Sequence, residues 1–379
     1  MKHRVIAVGA LVASIGVFTT LDAHAQQRQN NPGQGQNQQQ QQPQQVTLPP
    51  ALQAAVNSGN ADQVSRAIAT LSAGNPQQAA TLATQVVTVA ERMLNSNPQA
   101  AIQAATAAVE TIRANPVQQA APQQTETVLV TAARVFISPT AQQVAPVAAA
   151  NLAMSTVAAA STTNNPTVVA SVSVQAITVA ERVLSTAPAV AVQLATNAMQ
   201  NVRADTVTQG APTQVLQVVT TAARIIVNPD AQRVAPQQVA TMATTAAQVV
   251  SSPAVYQISP STAIQVMANS YTAVTSQAVV TAAPEAKQSV TQTLNVASNA
   301  TSLSQSNPAN GVQVNEILGG RVPAQPRLDV AGGPNTPNTP NGPPTTTPNT
   351  DRPSQNPAQD RVPDVVTLPD KVFTNASPS

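Results

Sequence analysis

Six arginines are the most regular polar residues of this chain. Arg92, Arg113 and Arg134 are evenly spaced, and Arg182, Arg203 and Arg224 repeat the same interval. Rows of guanidinium groups suit carboxylate, sulfate or phosphate, so the chemistry on offer is the grip of an anionic polymer such as an acidic polysaccharide. A plainer use competes with it. Each arginine lies near the end of a segment with helical spacing, where a cation complements the helix dipole for about 0.3–1 kcal/mol. Glu91, Glu110 and Glu181 are near enough to pair with them. The structural role is the expectation and the polymer row the alternative. Antiparallel neighbours would also send successive helix ends to opposite rims and split the row.

Other chemistry is hard to assemble. Gln103, Gln193 and Gln265 recur on one face of matching segments, either as buried inter-helix hydrogen bonds or as a ligand-facing ladder. The chain has no Cys, and both histidines, His3 and His24, precede Ala25. A chain processed after Ala25 would lack the commonest general base, the commonest metal ligand and the thiol nucleophile. Asp360, Asp364 and Asp370 lie in a proline-rich stretch with nothing to hold them in a catalytic geometry. No Gly-rich phosphate loop, G-x-S-x-G or Asp-rich calcium loop occurs. No catalytic residue, metal or cofactor is expected. Nor is nucleic acid, because basic residues do not cluster and the aromatics beyond Ala25 are only Phe136, Tyr256, Tyr271 and Phe373.

The N-terminal residues read as an export signal. Lys2 and Arg4 precede an apolar run from Val5 to Leu21, and Ala23-His24-Ala25 presents small residues where a signal peptidase reads them. Cleavage between Ala25 and Gln26 would place the protein in a periplasm or outside the cell, with no membrane-spanning segment left. Removal takes Lys2, Arg4 and Asp22, so 17 basic and 15 acidic residues become 15 and 14, a net charge of +1.

The stretch from Gln26 to Gln45 is mostly Gln, and the one from Asn307 to Ser379 contains 14 Pro. Neither carries enough apolar surface to offset the roughly 1–2 kcal/mol per residue that ordering a backbone costs, so both are expected to be disordered. Two places stand out: Val312, Val314, Ile317 and Leu318 are suited to lie along the body as a short extension, and Val365 to Phe373 has apolar residues suited to docking.

Between the tails lies a duplication. The segment from Asn75, NPQQAATLATQVVTVAERML, aligns without gaps to the segment from Asn165, NPTVVASVSVQAITVAERVL. The same register holds through TAARVFISPTAQQVAP (Thr131 to Pro146) and TAARIIVNPDAQRVAP (Thr221 to Pro236). A third, partial copy follows. Its markers are Pro260 after Pro98 and Pro188, and Pro284 after Pro122 and Pro212. They align only if a segment about one short helix long is missing before them. The expected organisation is a signal peptide at 1–25, a Gln-rich linker at 26–46, a helical repeat domain at 47–305 and a Pro/Asn/Thr-rich tail at 306–379. Units run over 75–164 and 165–254, with the partial third at 255–305.

Helices follow from proline placement and period. Proline is tolerated at the first helical position and breaks an interior one. Asn75, Asn97, Ser138, Asn165, Asn228 and Ser259 precede prolines as N-caps should. Ile102, Ala105, Val109 and Ile112 step by 3 and 4, as do Val215, Val218, Ala222 and Ile225. SVSVQAITV from Ser171 alternates like a strand, but its duplicate TLATQVVTV from Thr81 has helical spacing. The fold expected is all-α: an Ala/Val-rich antiparallel helical repeat of two four-helix units plus partial flanking copies. About ten or eleven helices of roughly 14–20 residues are expected, each with one apolar stripe. Periodicity leaves solenoid and closed bundle open.

Three functions are compatible with these residues: an exported non-enzymatic scaffold or interaction protein, a binder of an anionic envelope polymer, or a self-assembling matrix protein. The export signal is directly testable. N-terminal sequencing of the protein recovered from an expressing culture should begin Gln26-Gln27-Arg28, and an intact Met1 would refute the signal.

Overall fold

Proline sets the elements. The computed structural model describes residues 47–301, 303 and 307–321. The expected signal segment with its Ala25–Gln26 cleavage point, the Gln tract, and the tail from residue 322, including Val365 to Phe373, lie outside them. The described residues are helical, without strands. Two shorter helices, α1 (Pro50–Asn57) and α2 (Ala61–Ser72), come first. Ten long helices then carry the body: α3 (Pro76–Met93), α4 (Pro98–Ile112), α6 (Pro122–Ile137), α8 (Pro146–Ala160), α9 (Pro166–Val183), α10 (Pro188–Val202), α12 (Pro212–Ile226), α14 (Pro236–Val250), α16 (Pro260–Thr275) and α18 (Pro284–Ser298). Every one begins at a proline. Asn75, Asn97, Asn165 and Asn228 accept backbone N–H bonds as caps, whereas Ser138 and Ser259 make no such bond.

Short helices that the sequence reading does not separate join many of the long ones. They are α5 (Asn115–Ala120), α7 (Pro139–Val144), α11 (Asp205–Gly210), α13 (Pro229–Val234), α15 (Pro253–Tyr256) and α17 (Gln277–Ala282). Five of them end in an alanine, Ala121, Ala145, Ala211, Ala235 or Ala283, with φ between −140° and −148° and ψ between 51° and 70°. That alanine closes the short turn by donating its N–H to a carbonyl one turn back, at 2.8–3.0 Å. It cannot continue as helix, because the ring of the following proline clashes with the αR conformation. The proline then opens the next helix. Helix starts fall at one constant interval from Pro98 to Pro122 to Pro146, and again from Pro188 through Pro212, Pro236 and Pro260 to Pro284, although the step to Pro260 runs through α15 and Ser259 rather than an alanine corner.

The long helices form two layers. Each packs on the next in the chain and on the next but one. One layer holds α3, α6, α9, α12, α16 and the terminal α19 (Ala309–Leu318); the other holds α2, α4, α8, α10, α14 and α18. Side-chain bonds establish that helices within a layer run parallel. Arg134 near the end of α6 reaches Glu91 near the end of α3, and Asn201 near the end of α10 donates to the Val157 carbonyl near the end of α8 at 2.8 Å. Successive long helices are therefore antiparallel. The packing advances from α2 to α19 without returning on itself, which makes this unit an open solenoid.

Burial follows from that arrangement. A helix touching two neighbours in its own layer and two in the other buries more than one stripe. α4 buries Ala100, Ala101, Ile102, Ala104, Ala105, Ala107, Ala108, Val109 and Ile112. Alanine lets axes approach toward the lower end of the ~8–10 Å range. Threonine and serine enter the core by bonding back along their own helices: Thr156 donates to the Leu152 carbonyl, Ser173 to Val169 and Thr196 to Val192, all at 2.7–2.8 Å. Ser173 belongs to the strand-like SVSVQAITV run, which is helical throughout as part of α9. At Gly210 a methyl group would approach Pro166 Cγ to 2.8 Å, so α11 seats more closely on the start of α9 than an alanine in the same place would allow.

The third copy differs from the expectation in what it lacks. The missing segment corresponds to the unit's first and longest helix, α3 or α9, rather than to a short one; α15, a single turn spanning the expected boundary at 255, takes its place. Losing one helix swaps the layers. α16 aligns with α4 and α10 yet packs in the layer of α3, and α18 aligns with α6 and α12 yet packs in the layer of α4.

The helical body also runs past the expected limit at 305. α19 packs on α16 and α18 and buries Val314 and Ile317, two of the residues suited to extend the body. A chain ending at Gln305 should therefore remain helical but unfold earlier than one ending at Arg321. Burial of two aliphatic side chains implies a difference of about 3–5 kcal/mol. Thermal melts by circular dichroism check this, and equal melting temperatures would show that α19 contributes nothing.

Candidate functional site

The solenoid distributes the six arginines over two rims. Helices of the α3 layer all end on the same rim, which carries Arg92 on α3, Arg134 on α6, Arg182 on α9 and Arg224 on α12. Arg113 and Arg203 are the C-caps of α4 and α10 in the other layer, so they lie on the opposite rim. The row of six is thus a row of four and a row of two.

Pairing divides the four again. Arg134 donates from Nε to Glu91 Oε1 at 2.7 Å and from Nη2 to Glu91 Oε2 at 3.3 Å. Arg224 repeats the fork on Glu181, at 2.6 and 2.9 Å. Both arginines also donate to a threonine one turn earlier, Thr131 or Thr221. The hydrogen bond to Glu181 holds the Arg224 guanidinium above its ordinary pKa, against the opposing effect of partial burial. These forks tie α3 to α6 and α9 to α12, each within one repeat unit. On the other rim Arg113 lies 3.6 Å from Glu110 of its own helix. Arg92, Arg182 and Arg203 form no ion pair among the described residues, although Arg182 donates to Gln142 Oε1 at 3.3 Å. Gln142 in turn donates to the Phe136 and Ile137 carbonyls that end α6. All six arginines are exposed.

The glutamines behave differently from either reading. Gln103 and Gln265 are half-buried and Gln193 is exposed, and none makes an inter-helix hydrogen bond among the described residues. They do not form one ladder either. Gln103 and Gln193 lie on α4 and α10 in one layer, while the layer swap puts Gln265 on α16 in the other.

A feature the sequence reading passes over is Glu126, near the start of α6. Its counterpart in the second unit is Leu216. Glu126 lines a cleft of about 640 Å³ at the junction of the two units, between α5, the start of α6 and the connection 161–165. The signal is present in the alignment of the copies, as a charge in one and a core residue in the other. Among the described residues no cluster of His, Cys, Asp and Glu is arranged to hold a metal ion, and no helix is long and apolar enough to cross a membrane.

No known protein family, curated protein or solved structure matches this chain.

The forks make the structural role of Arg134 measurable. Its side chain is about half exposed, at 53%, and Glu91 is 34% exposed, so solvent screening keeps the pair weak. A double-mutant cycle on Glu91→Gln and Arg134→Gln should give a coupling of about 0.3–1 kcal/mol that shrinks as salt is raised. A coupling indistinguishable from zero at low salt would remove the fork as a link between α3 and α6.

Proposed function

We propose that the protein is an exported, non-enzymatic scaffold or interaction protein of a cell envelope or extracellular matrix. The observation that carries the reading is the character of the solvent-facing helix surfaces. Gln77, Gln78 and Thr81 on α3, Gln123, Gln124 and Thr127 on α6, and Thr213 and Gln217 on α12 are exposed and uncharged. Many of the hydroxyls are already committed, since Thr81, Thr127 and Thr220 donate to carbonyls one turn back. Such a surface suits broad contacts made of many weak polar interactions. The export signal supports the location, and the lack of His and Cys beyond Ala25 supports the non-enzymatic role.

A second reading, binding of an anionic envelope polymer, keeps one specific support. Arg92 and Arg182 occupy matching positions on α3 and α9, share a rim and carry no acidic partner among the described residues. Two steps within a layer place them about 20 Å apart, at ~10 Å per step. A self-assembling matrix role draws no support from the solenoid ends. Asp62, Gln63, Arg66 and Thr70 are exposed on α2 at one end, and Lys287, Gln288, Gln292 and Asn295 on α18 at the other, with Val296 the one large apolar residue exposed among them. Polar caps of this kind oppose end-to-end stacking.

Co-sedimentation with a native envelope fraction separates the first two readings. The scaffold reading expects binding that survives a rise from about 50 to about 300 mM salt and the double substitution Arg92→Ala, Arg182→Ala. Binding lost under both conditions, together with retention on a polyuronate column that the same substitutions abolish, would overturn it in favour of the polymer.

A further inference from the structure

The cleft beside Glu126 lies at the junction of the two copies of a duplicated unit. Its walls are polar and nearly uncharged: Asn115, Gln118 and Gln119 on one side, Thr162, Thr163 and Asn164 on the other. Gln118 Nε2 donates to Thr162 Oγ1 at 2.7 Å and so ties α5 to the connection between the units. The side chains of Asn115, Gln119 and Asn164 are exposed, with no side-chain hydrogen bond among the described residues. Pro122 and Pro166 supply the apolar surface.

Glu126 is the one charge in this lining. It is half-buried, and Asn165 Nδ2 donates to its Oε1 at 3.1 Å, while no arginine or lysine among the described residues pairs with it. Glu91 and Glu181 are forked by arginines and Glu110 lies against Arg113, so Glu126 stands apart from the other glutamates of the two complete units. A carboxylate held at the edge of a cleft, with one oxygen fixed by an amide and no internal cation, is suited to receive a cation from outside.

In the second unit the same place is filled. There Leu216 replaces Glu126, and Val255 and Tyr256 of α15 are fully buried where the first unit has Asn165 and Pro166. α15 packs on α11 and α12, filling the space that stays open beside α5 and α6. The first unit thus has an open cleft with a charge beside it, and in the second a leucine lies buried against α15 at the matching place.

We propose that this cleft binds a protonated primary amine carried on a hydroxyl-rich ligand, an amino sugar of the glucosamine type. Glu126 takes the ammonium group, and the amides of Asn115, Gln119 and Asn164, each both donor and acceptor, take the ring hydroxyls. Pro122 and Pro166 meet the C–H faces. The lining favours a sugar over a lysine side chain, whose four methylenes would need more apolar wall than two prolines offer.

Calorimetric titration of the full processed chain at about pH 6, where amines are protonated, tests the site. The probes are a glucosamine tetramer, its fully N-acetylated form, and the peptide Gly-Gly-Lys-Gly. Glu126→Gln removes the charge, and Glu126→Leu installs the residue the second unit already tolerates; circular dichroism confirms that both fold. The glucosamine tetramer should bind the unaltered chain and lose at least tenfold in affinity on N-acetylation and in both variants. Equal binding by the acetylated tetramer, or unchanged binding in the two variants, would overturn the role of Glu126. Tighter binding of the lysine peptide, lost in the variants, would replace the amino sugar by a peptide amine. Absence of binding by every probe would refute the site while leaving the scaffold reading intact, since that reading rests on the layer surfaces.

Discussion

The whole solenoid depends on a residue that proline keeps from being helical. At Ala121, Ala145, Ala211, Ala235 and Ala283 the following ring excludes the αR conformation. One such residue breaks the helix, and proline at the next position restarts it with a preset φ. A one-turn helix before each break gives the chain a compact corner whose carbonyls and N–H groups are already bonded. No glycine is required at these corners, and little of the corner is left to fluctuate. Five of the six equal steps between helix starts pass through this device, and the step from Pro236 to Pro260 passes through α15 and Ser259 instead.

Alanine and threonine then determine how the layers meet. Small side chains let each helix press against four others, so burial is spread over wide faces instead of concentrated in large side chains. Each methyl removes little area from water, at about 25 cal/mol per Å² of apolar surface, and stability has to accumulate along the array. That additive character explains the polar caps and the value of α19, whose Val314 and Ile317 close the last open face. It also explains how the protein manages with 8% charged residues. Glu91–Arg134 and Glu181–Arg224 are the inter-helix ion pairs among the described residues, and they reinforce neighbours already joined by packing.

Much of this architecture is legible in the residues because proline and periodicity are local signals. The register of the duplication, the ten long helices and the split of the arginines between rims all follow from local spacing plus antiparallel packing. The solenoid, by contrast, is a statement about which helices meet, and Leu, Val and Ala carry no address. The width of each buried face escapes for the same reason: a 3-4 stripe registers the strongest contact and overlooks alanines on the flanks. Gln265 misleads because alignment assigns a residue to a helix, whereas the layer depends on the parity of helices before it. Removing one helix reverses that parity while leaving the sequence markers intact. α19 is legible as a short apolar extension but not as a helix of the repeat, because Val314 and Ile317 are spaced by three, as on a helix face, while the residues around them resemble tail in composition.

Duplication supplies its own control for function. Residues that agree between the two units, such as Glu91 with Glu181 and Arg134 with Arg224, hold helices together in both, so the shared fold already accounts for them. Departures need another cause. Gly210 in place of Ala120 goes with a closer seating of α11 on Pro166, where a methyl would lie 2.8 Å from the ring. The change from Asn165 to Val255 follows from the loss of a long helix, which brings α15 inward. At the position matching Glu126, Leu216 is buried beneath α15, a cover that position 126 lacks. Glu126 instead accepts from the Asn165 amide whose Oδ1 caps α9. Glutamate and asparagine are therefore present together in the first unit and replaced together by Leu216 and Val255 in the second. The fold thus accounts for the amide that Glu126 holds, and the binding proposed for the cleft concerns the carboxylate oxygen that no internal cation takes.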